Sequence, residues 1–172
     1  MVYNRGRSRG LVLLVLVHST DERLAARILR DIRHVEVAPG VAITWEPEER
    51  VDRALGAAKR ELIERWESRG TGPLLEYAVL RLTDDQYNAV RHMVRRAVDA
   101  RASALAGGLR RLAADMRRGR GRVQELKARF RRLASAVAEL NEAAAKLDIY
   151  TSALDELREA YREANAEYLK LG

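Results

Sequence analysis

An α+β fold, with a small sheet domain first and a purely helical region after it, is what this chain of 172 residues predicts. Three observations carry that expectation. The first 82 residues alternate short apolar runs with amphipathic stretches, the residues beyond keep an apolar spacing of three and four, and the change falls at a capping sequence, Thr83-Asp84-Asp85-Gln86. The expected organisation is a basic tail over 1–10, an α+β domain over 11–82 and a helical region over 83–172.

Leu11 to Val17 is continuously apolar, as a central strand buried on both faces requires. Ser19-Thr20-Asp21-Glu22 offers a capping box for a helix whose apolar face is Leu24, Ala25, Ile28, Leu29 and Ile32, ending near Arg33. Val35 and Val37, then Pro39-Gly40, then Val41, Ile43 and Trp45 read as a hairpin. Pro47 opens a second helix with Glu48 and Glu49 at its positive end and a stripe of Val51, Leu55, Ala58, Leu62 and Trp66. Gly70-Thr71-Gly72-Pro73 ends it, and Leu74 to Leu82 is a fourth strand. The order β-α-β-β-α-β is that of the ferredoxin-like sandwich, two helices on one face of an antiparallel sheet.

Beyond Gln86, Tyr87, Val90, Val94, Val98, Leu105, Leu109, Leu112 and Met116 mark a helix to about Arg117, which Gly107-Gly108 should weaken or kink. After Gly119-Arg120-Gly121 the seam Val123, Leu126, Phe130, Leu133, Val137, Leu140, Ala144 and Leu147 repeats at heptad spacing. Two such helices joined by a short glycine turn are expected to fold back as a long antiparallel helical hairpin, a coiled coil. The pattern breaks at Asp148. Ser152 then caps a C-terminal helix with Leu154, Leu157, Tyr161, Ala164, Tyr168 and Leu171 in a new phase. Two seams of different phase suggest a homodimer that covers what one hairpin leaves open.

Charge is the most informative feature for function. Ten of the 23 residues from Arg110 to Arg132 are basic and only Asp115 and Glu125 are acidic, so this stretch carries +8 of a chain totalling +7. Residues 133–172 sum to −4, which gives the helical region a positive tip and a negative base. Arginine outnumbers lysine 28 to 4, an excess that genome composition, thermal adaptation or selection for guanidinium contacts with phosphate would each produce. The nucleic-acid-binding residues the positive tip picks out are Arg110, Arg111, Arg117, Arg118, Arg120, Arg122, Arg129, Arg131 and Arg132. No aromatic residue is placed there for base stacking, Phe130 belonging to the seam, so contacts to DNA or RNA should be mostly to phosphate. A solvated hairpin end or a dock for an acidic protein partner would use the same charges.

Other chemistry finds little support. There is no cysteine, which excludes disulfides, thiolate metal sites and a cysteine nucleophile, and is compatible with a cytoplasmic protein. The basic tail before Leu11 imitates a signal peptide, but no small-residue cleavage site follows the short apolar run, and no segment approaches a membrane span. His18 and His34 fall at opposite ends of the expected sheet, and His92 lacks a partner three or four residues away, so no metal is expected. Ser19 and Asp21 near His18 are explained by capping, and no catalytic residue is assigned. Gly70-Thr71-Gly72-Pro73 precedes a strand, the reverse of a phosphate loop, and no cofactor is expected. The leading reading is non-enzymatic, with a protein-protein adaptor using the seam and the acidic terminal helix as the alternative to nucleic-acid association and an enzyme with a site between sheet and hairpin as the third.

The run from Leu11 to Pro47, with Val41-Ala42-Ile43-Thr44-Trp45-Glu46-Pro47 at its end, resembles the opening of the N-terminal region of ChrB-type chromate-resistance regulators. Leu80-Arg81-Leu82 leading into a long arginine-rich helix, and Leu147-Asp148-Ile149-Tyr150 before the last helix, are similar to that family's later order. The resemblance implies a regulatory or DNA-associated protein and supplies no binding residues. The β-α-β-β order is also similar to the small nuclease of CRISPR adaptation, which carries an aspartate at the end of its first strand. Here that place is Val17-His18-Ser19, which disfavours a metal-dependent nuclease.

Overall fold

The structure, a computed structural model, describes residues 12–171 and divides into two compact units, one ending at Val94 and one beginning at Arg95. The basic tail over 1–10, and Leu11 of the expected first strand, lie outside the described residues. Among the described residues are four strands, forming one antiparallel sheet, and five helices, an α+β architecture. No helix among them is long and apolar enough to cross a membrane.

The first unit contains β1 (Val12–Ser19), α1 (Glu22–Leu29), β2 (His34–Ala38), β3 (Val41–Thr44), α2 (Glu48–Arg69), β4 (Leu75–Leu82) and the start of α3 (Asp84–Arg117). The strands lie in the order β2-β3-β1-β4, each antiparallel to its neighbour. β1 is central, and its odd residues Leu13, Val15 and Val17 form one core with Leu24, Ile28 and Leu29 of α1 and Val51, Leu55 and Leu62 of α2. Its even residues are also withdrawn from solvent, Val12 fully and Leu14 and Leu16 in part, which is why the run is continuously apolar. At the β2–β3 turn Gly40 has φ +71°, its carbonyl accepts the Val17 N–H at 2.7 Å, and a Cβ there would fall 2.2 Å from the Val17 carbonyl oxygen. Glycine is therefore required by both the backbone and the close approach.

Local details differ from the expectations. The N-cap of α1 is Asp21, whose Oδ1 accepts from the Arg23 N–H, and α1 ends at Leu29, four residues short of Arg33. Ser19 and Thr20 serve the sheet instead, for the Ser19 hydroxyl donates to the Leu74 carbonyl and Thr20 Oγ1 accepts the Leu74 N–H. The capping box of α3 forms as its spacing predicts, Thr83 Oγ1 accepting from the Gln86 N–H and Gln86 Oε1 from the Thr83 N–H. Trp66 leaves the stripe of α2 and is 40% exposed. Glycine at Gly70, φ +69°, stops that helix in the left-handed conformation.

The second unit consists of the rest of α3, α4 (Val123–Lys146) and α5 (Ser152–Leu169). α3 runs on through Gly107-Gly108. Each glycine costs about 1 kcal/mol relative to alanine in a helix interior, and the fully buried flank of Ala102, Ala106, Leu109, Leu112 and Ala113 outweighs that cost. α3 and α4 run antiparallel: Arg101 meets Glu139, Gly108 lies against Leu133, and Asp115 meets Arg129. α5 runs parallel to α3, because Arg110 meets Glu156 and Arg117 meets Glu163. The seam of α4 is buried at Leu126, Phe130, Val137 and Leu140 and partly at Leu133, while Val123 is exposed. Asp148, φ 54°, closes α4, with the Ile149 N–H reaching back to the Ala144 carbonyl. The cap of α5 is Thr151, not Ser152.

Candidate nucleic-acid interface

The arginine-rich segment forms the end of α3, the start of α4 and the turn between them. The turn follows from its glycines. Gly119, φ +62°, ends α3 in a Schellman arrangement, the Arg120 N–H bonding the Asp115 carbonyl at 2.9 Å and the Gly119 N–H the Met116 carbonyl at 3.2 Å. Gly121, φ +107°, then reverses the chain, and no side chain caps the first turn of α4 behind Arg122. Three arginines alternating with two glycines thus sit on an exposed bend, where long side chains radiate from a backbone without bulk.

The nine arginines fall into two groups. Arg110 pairs with Glu156 at 3.8 Å, Arg129 with Asp115 at 3.2 Å, and Arg117 with both Glu163 at 2.9 Å and Glu167 at 3.4 Å. Arg111, Arg118, Arg120, Arg122, Arg131 and Arg132 are exposed and form no ion pair among the described residues. The hydrogen bond to Glu163, then that to Glu167, raises the Arg117 guanidinium above its ordinary pKa. Hydrogen bonds from Lys170 and from Arg117 hold the Glu167 carboxyl below its own, against the opposing effect of burial.

Glu163 and Glu167 were not foreseen at the tip. Their acidity suggested a negative base at the far end of the helices, but α5 lies beside α3 in the same direction and brings its C-terminal carboxylates to the last turn of α3. The signal was faint: the constant offset of 46 residues from Arg110 to Glu156 and from Arg117 to Glu163 emerges only once the pairing is known. The tip is consequently neutralised on one flank and cationic on the turn. Phe130 stacks on Tyr168 with ring centroids 4.4 Å apart and on Tyr161 at 5.9 Å, so it is committed to packing. Tyr150 is 71% exposed, apart from that stack.

Elsewhere, His34 Nδ1 is 2.8 Å from the Ile32 carbonyl oxygen, and His92 Nδ1 is 3.1 Å from that of Ala89. His34 is level with Thr44 and so with Leu13, far along β1 from His18. Among the described residues no three potential ligands gather as a metal site would need. A buried carboxylate to which the sequence assigned no role is Glu46, 4% exposed, with Arg50 at 3.1 Å and Arg33 at 3.9 Å. Its N–H bonds Thr44 Oγ1, whose hydroxyl donates to the Arg33 carbonyl at 2.6 Å, so the group pins the end of β3 to the chain before β2.

Comparison with known proteins finds no matching family model, no matching curated protein and no matching solved structure.

Proposed function

We propose that this is a non-enzymatic, nucleic-acid-associated protein that contacts phosphates through the arginine turn between α3 and α4. The observation that carries the reading is the contrast between Arg110, Arg117 and Arg129, each held by a carboxylate, and Arg118, Arg120 and Arg122, which project from a glycine turn with no counter-ion among the described residues. Unpaired guanidinium groups on a bend are placed to bind phosphate oxygens and displace the cations condensed on a nucleic-acid backbone. The strand order β2-β3-β1-β4 supports a ferredoxin-like assignment for the first unit, and the antiparallel run of α3 and α4 supports the coiled-coil hairpin. The resemblance to ChrB-type regulators favours a cytoplasmic, DNA-associated role.

The test is a titration against duplex DNA and RNA at several salt concentrations. Log affinity should fall linearly with log salt, at about −0.9 per phosphate neutralised on duplex DNA. Replacing Arg118, Arg120 and Arg122 with alanine should flatten that slope and weaken all sequences alike, because phosphate contacts position without specifying. A triple variant with the original slope places the contact elsewhere. Absence of binding by the wild type at low salt favours the adaptor reading, in which the helical seams and the acidic α5 meet a protein partner or a second copy.

A further inference from the structure

The first unit carries a second concentration of arginine that the charge count did not isolate, because acidic neighbours in sequence cancel it. Arg23 and Arg27 of α1 and its C-cap Arg30 recur at spacings of four and three and so share one flank, beside the core face of Leu24 and Ile28. A cleft of about 840 Å³ lies between α1 and α2, with Arg27, Arg50 and Arg53 on its walls and Ala54, Ala57 and Ala58 along its floor. A smaller one of about 220 Å³ continues past Arg27 to Arg23, Arg30, Arg65 and Pro73. Arg27 lines both, so the two clefts adjoin at that side chain and are named together the groove between α1 and α2.

Most of its carboxylates are already engaged. Of the three that line it, Asp21 caps α1 and Glu61 pairs with Arg65; Glu46, outside the lining, holds Arg50. Arg23, Arg27, Arg30 and Arg53 form no ion pair among the described residues, and Asp31 is the one acidic lining residue with no such engagement among them. Trp66 lines neither cleft but adjoins the smaller one through Pro73, to whose carbonyl it donates its indole N–H at 3.3 Å, and it keeps 40% of its surface exposed. Its five-membered ring packs on Gly72, so the indole is tied to the loop before β4 while two fifths of its surface stays open to solvent. Alanines along the cleft let a chain approach the helices closely, guanidinium groups on both sides suit a sugar-phosphate backbone, and the part-exposed indole beside Pro73 offers its uncovered surface to an unpaired base.

We propose that the groove between α1 and α2 binds single-stranded nucleic acid, with phosphates over Arg23, Arg27, Arg30 and Arg53 and one base stacked on Trp66. This deepens the nucleic-acid reading above by giving the first unit its own site and a preference for unpaired strands. The contacts are independent of sequence, since the groove holds charges and alanines but no arrangement that reads base edges.

The chain has two tryptophans, so the full-length Trp45→Phe variant reports Trp66 alone. Titration with a short oligothymidylate should quench that fluorescence saturably, with a salt slope of about −0.7 per phosphate contacted. Trp66→Ala should weaken binding of the oligomer by about tenfold or more, and Trp66→Phe by less, since a phenyl ring still stacks. Replacing Arg23, Arg27, Arg30 and Arg53 with alanine should remove the quenching and flatten the slope while the melting temperature stays near that of the parent. Retained quenching in that quadruple variant, or equal quenching by duplex, overturns the groove. If the strand binds with no change in Trp66 emission and only the turn arginines alter the slope, the groove is wrong and the turn reading stands. If no nucleic acid binds at low salt, both fall together.

Discussion

Arg117 and Glu163, 46 residues apart in the chain, meet at 2.9 Å across the α3–α5 contact. The pair places the acidic helix along the basic one, and it separates arginines that hold the helices together from arginines that face outward. A cluster that looks uniform in composition is thereby divided in function.

Acid should loosen the end of this contact. Glu167 is held below its ordinary pKa, so its contribution is complete above the unfolded carboxyl value of about 4.3 and disappears as pH falls through the lower folded value. Glu167→Gln removes the titrating group. Thermal melts of both proteins from neutral to strongly acid pH should show a smaller acid-induced drop for the variant, and identical drops would contradict the assignment.

The seam of α4 should respond unevenly to truncation. Leu140 is fully buried and Leu133 only partly, so Leu140→Ala should cost roughly 2–5 kcal/mol and Leu133→Ala clearly less. Phe130→Ala, which dismantles the stack with Tyr161 and Tyr168, should cost about 3–5 kcal/mol. Urea unfolding would rank the three, and equal costs for the two leucines would refute the burial order.

Two glycines with nearly the same backbone angle should differ. Gly40 and Gly70 have φ of +71° and +69°, but an added Cβ meets the Val17 carbonyl at Gly40 and nothing within 4 Å at Gly70. Gly70→Ala should cost the left-handed backbone term alone, roughly 1–2 kcal/mol. Gly40→Ala should cost distinctly more, and comparable denaturation midpoints would show that the β2–β3 turn can shift.

Glu46 offers a test of pairing against burial. Arg50→Ala leaves the buried carboxylate with Arg33 at 3.9 Å as its remaining ion pair among those described, whereas Glu46→Gln removes the charge and keeps the shape. The arginine variant should be the less stable of the two, by about 1–3 kcal/mol. The reverse order in chemical denaturation would mean that solvent reaches the carboxylate.

What could be read from the sequence was what periodicity encodes. The unbroken apolar run from Val12 to Val17 announced a central strand, whose odd side chains are fully in the core and whose even ones Leu14 and Leu16 are withdrawn in part. Thr83 and Gln86 announced their helix because a capping box is local. Ala102, Ala106, Ala113 and Ala160 went unread, since alanine is as common on exposed helix faces as on buried ones. Trp66 was placed in the stripe on spacing alone and stands outside it. At the candidate site the arginines were visible, but their partners were not: Asp115 with Arg129 and Glu163 with Arg117 depend on how three helices align, which residue spacing within one helix does not record.

The two edges of the sheet are guarded unequally. β2 is short, irregular between Glu36 and Ala38, and followed by Pro39, so another strand cannot easily extend it. β4 pairs with β1 over all eight of its residues without a bulge, and its only charges are Glu76 and Arg81. Charged side chains along an edge oppose edge-to-edge pairing, and of these two Arg81 is also tied to Glu48 of α2. A variant neutral at both would present an uninterrupted apolar strand with Leu80 half exposed, and copies of the protein would begin to template one another into aggregates through backbone that the native chain keeps apart by charge.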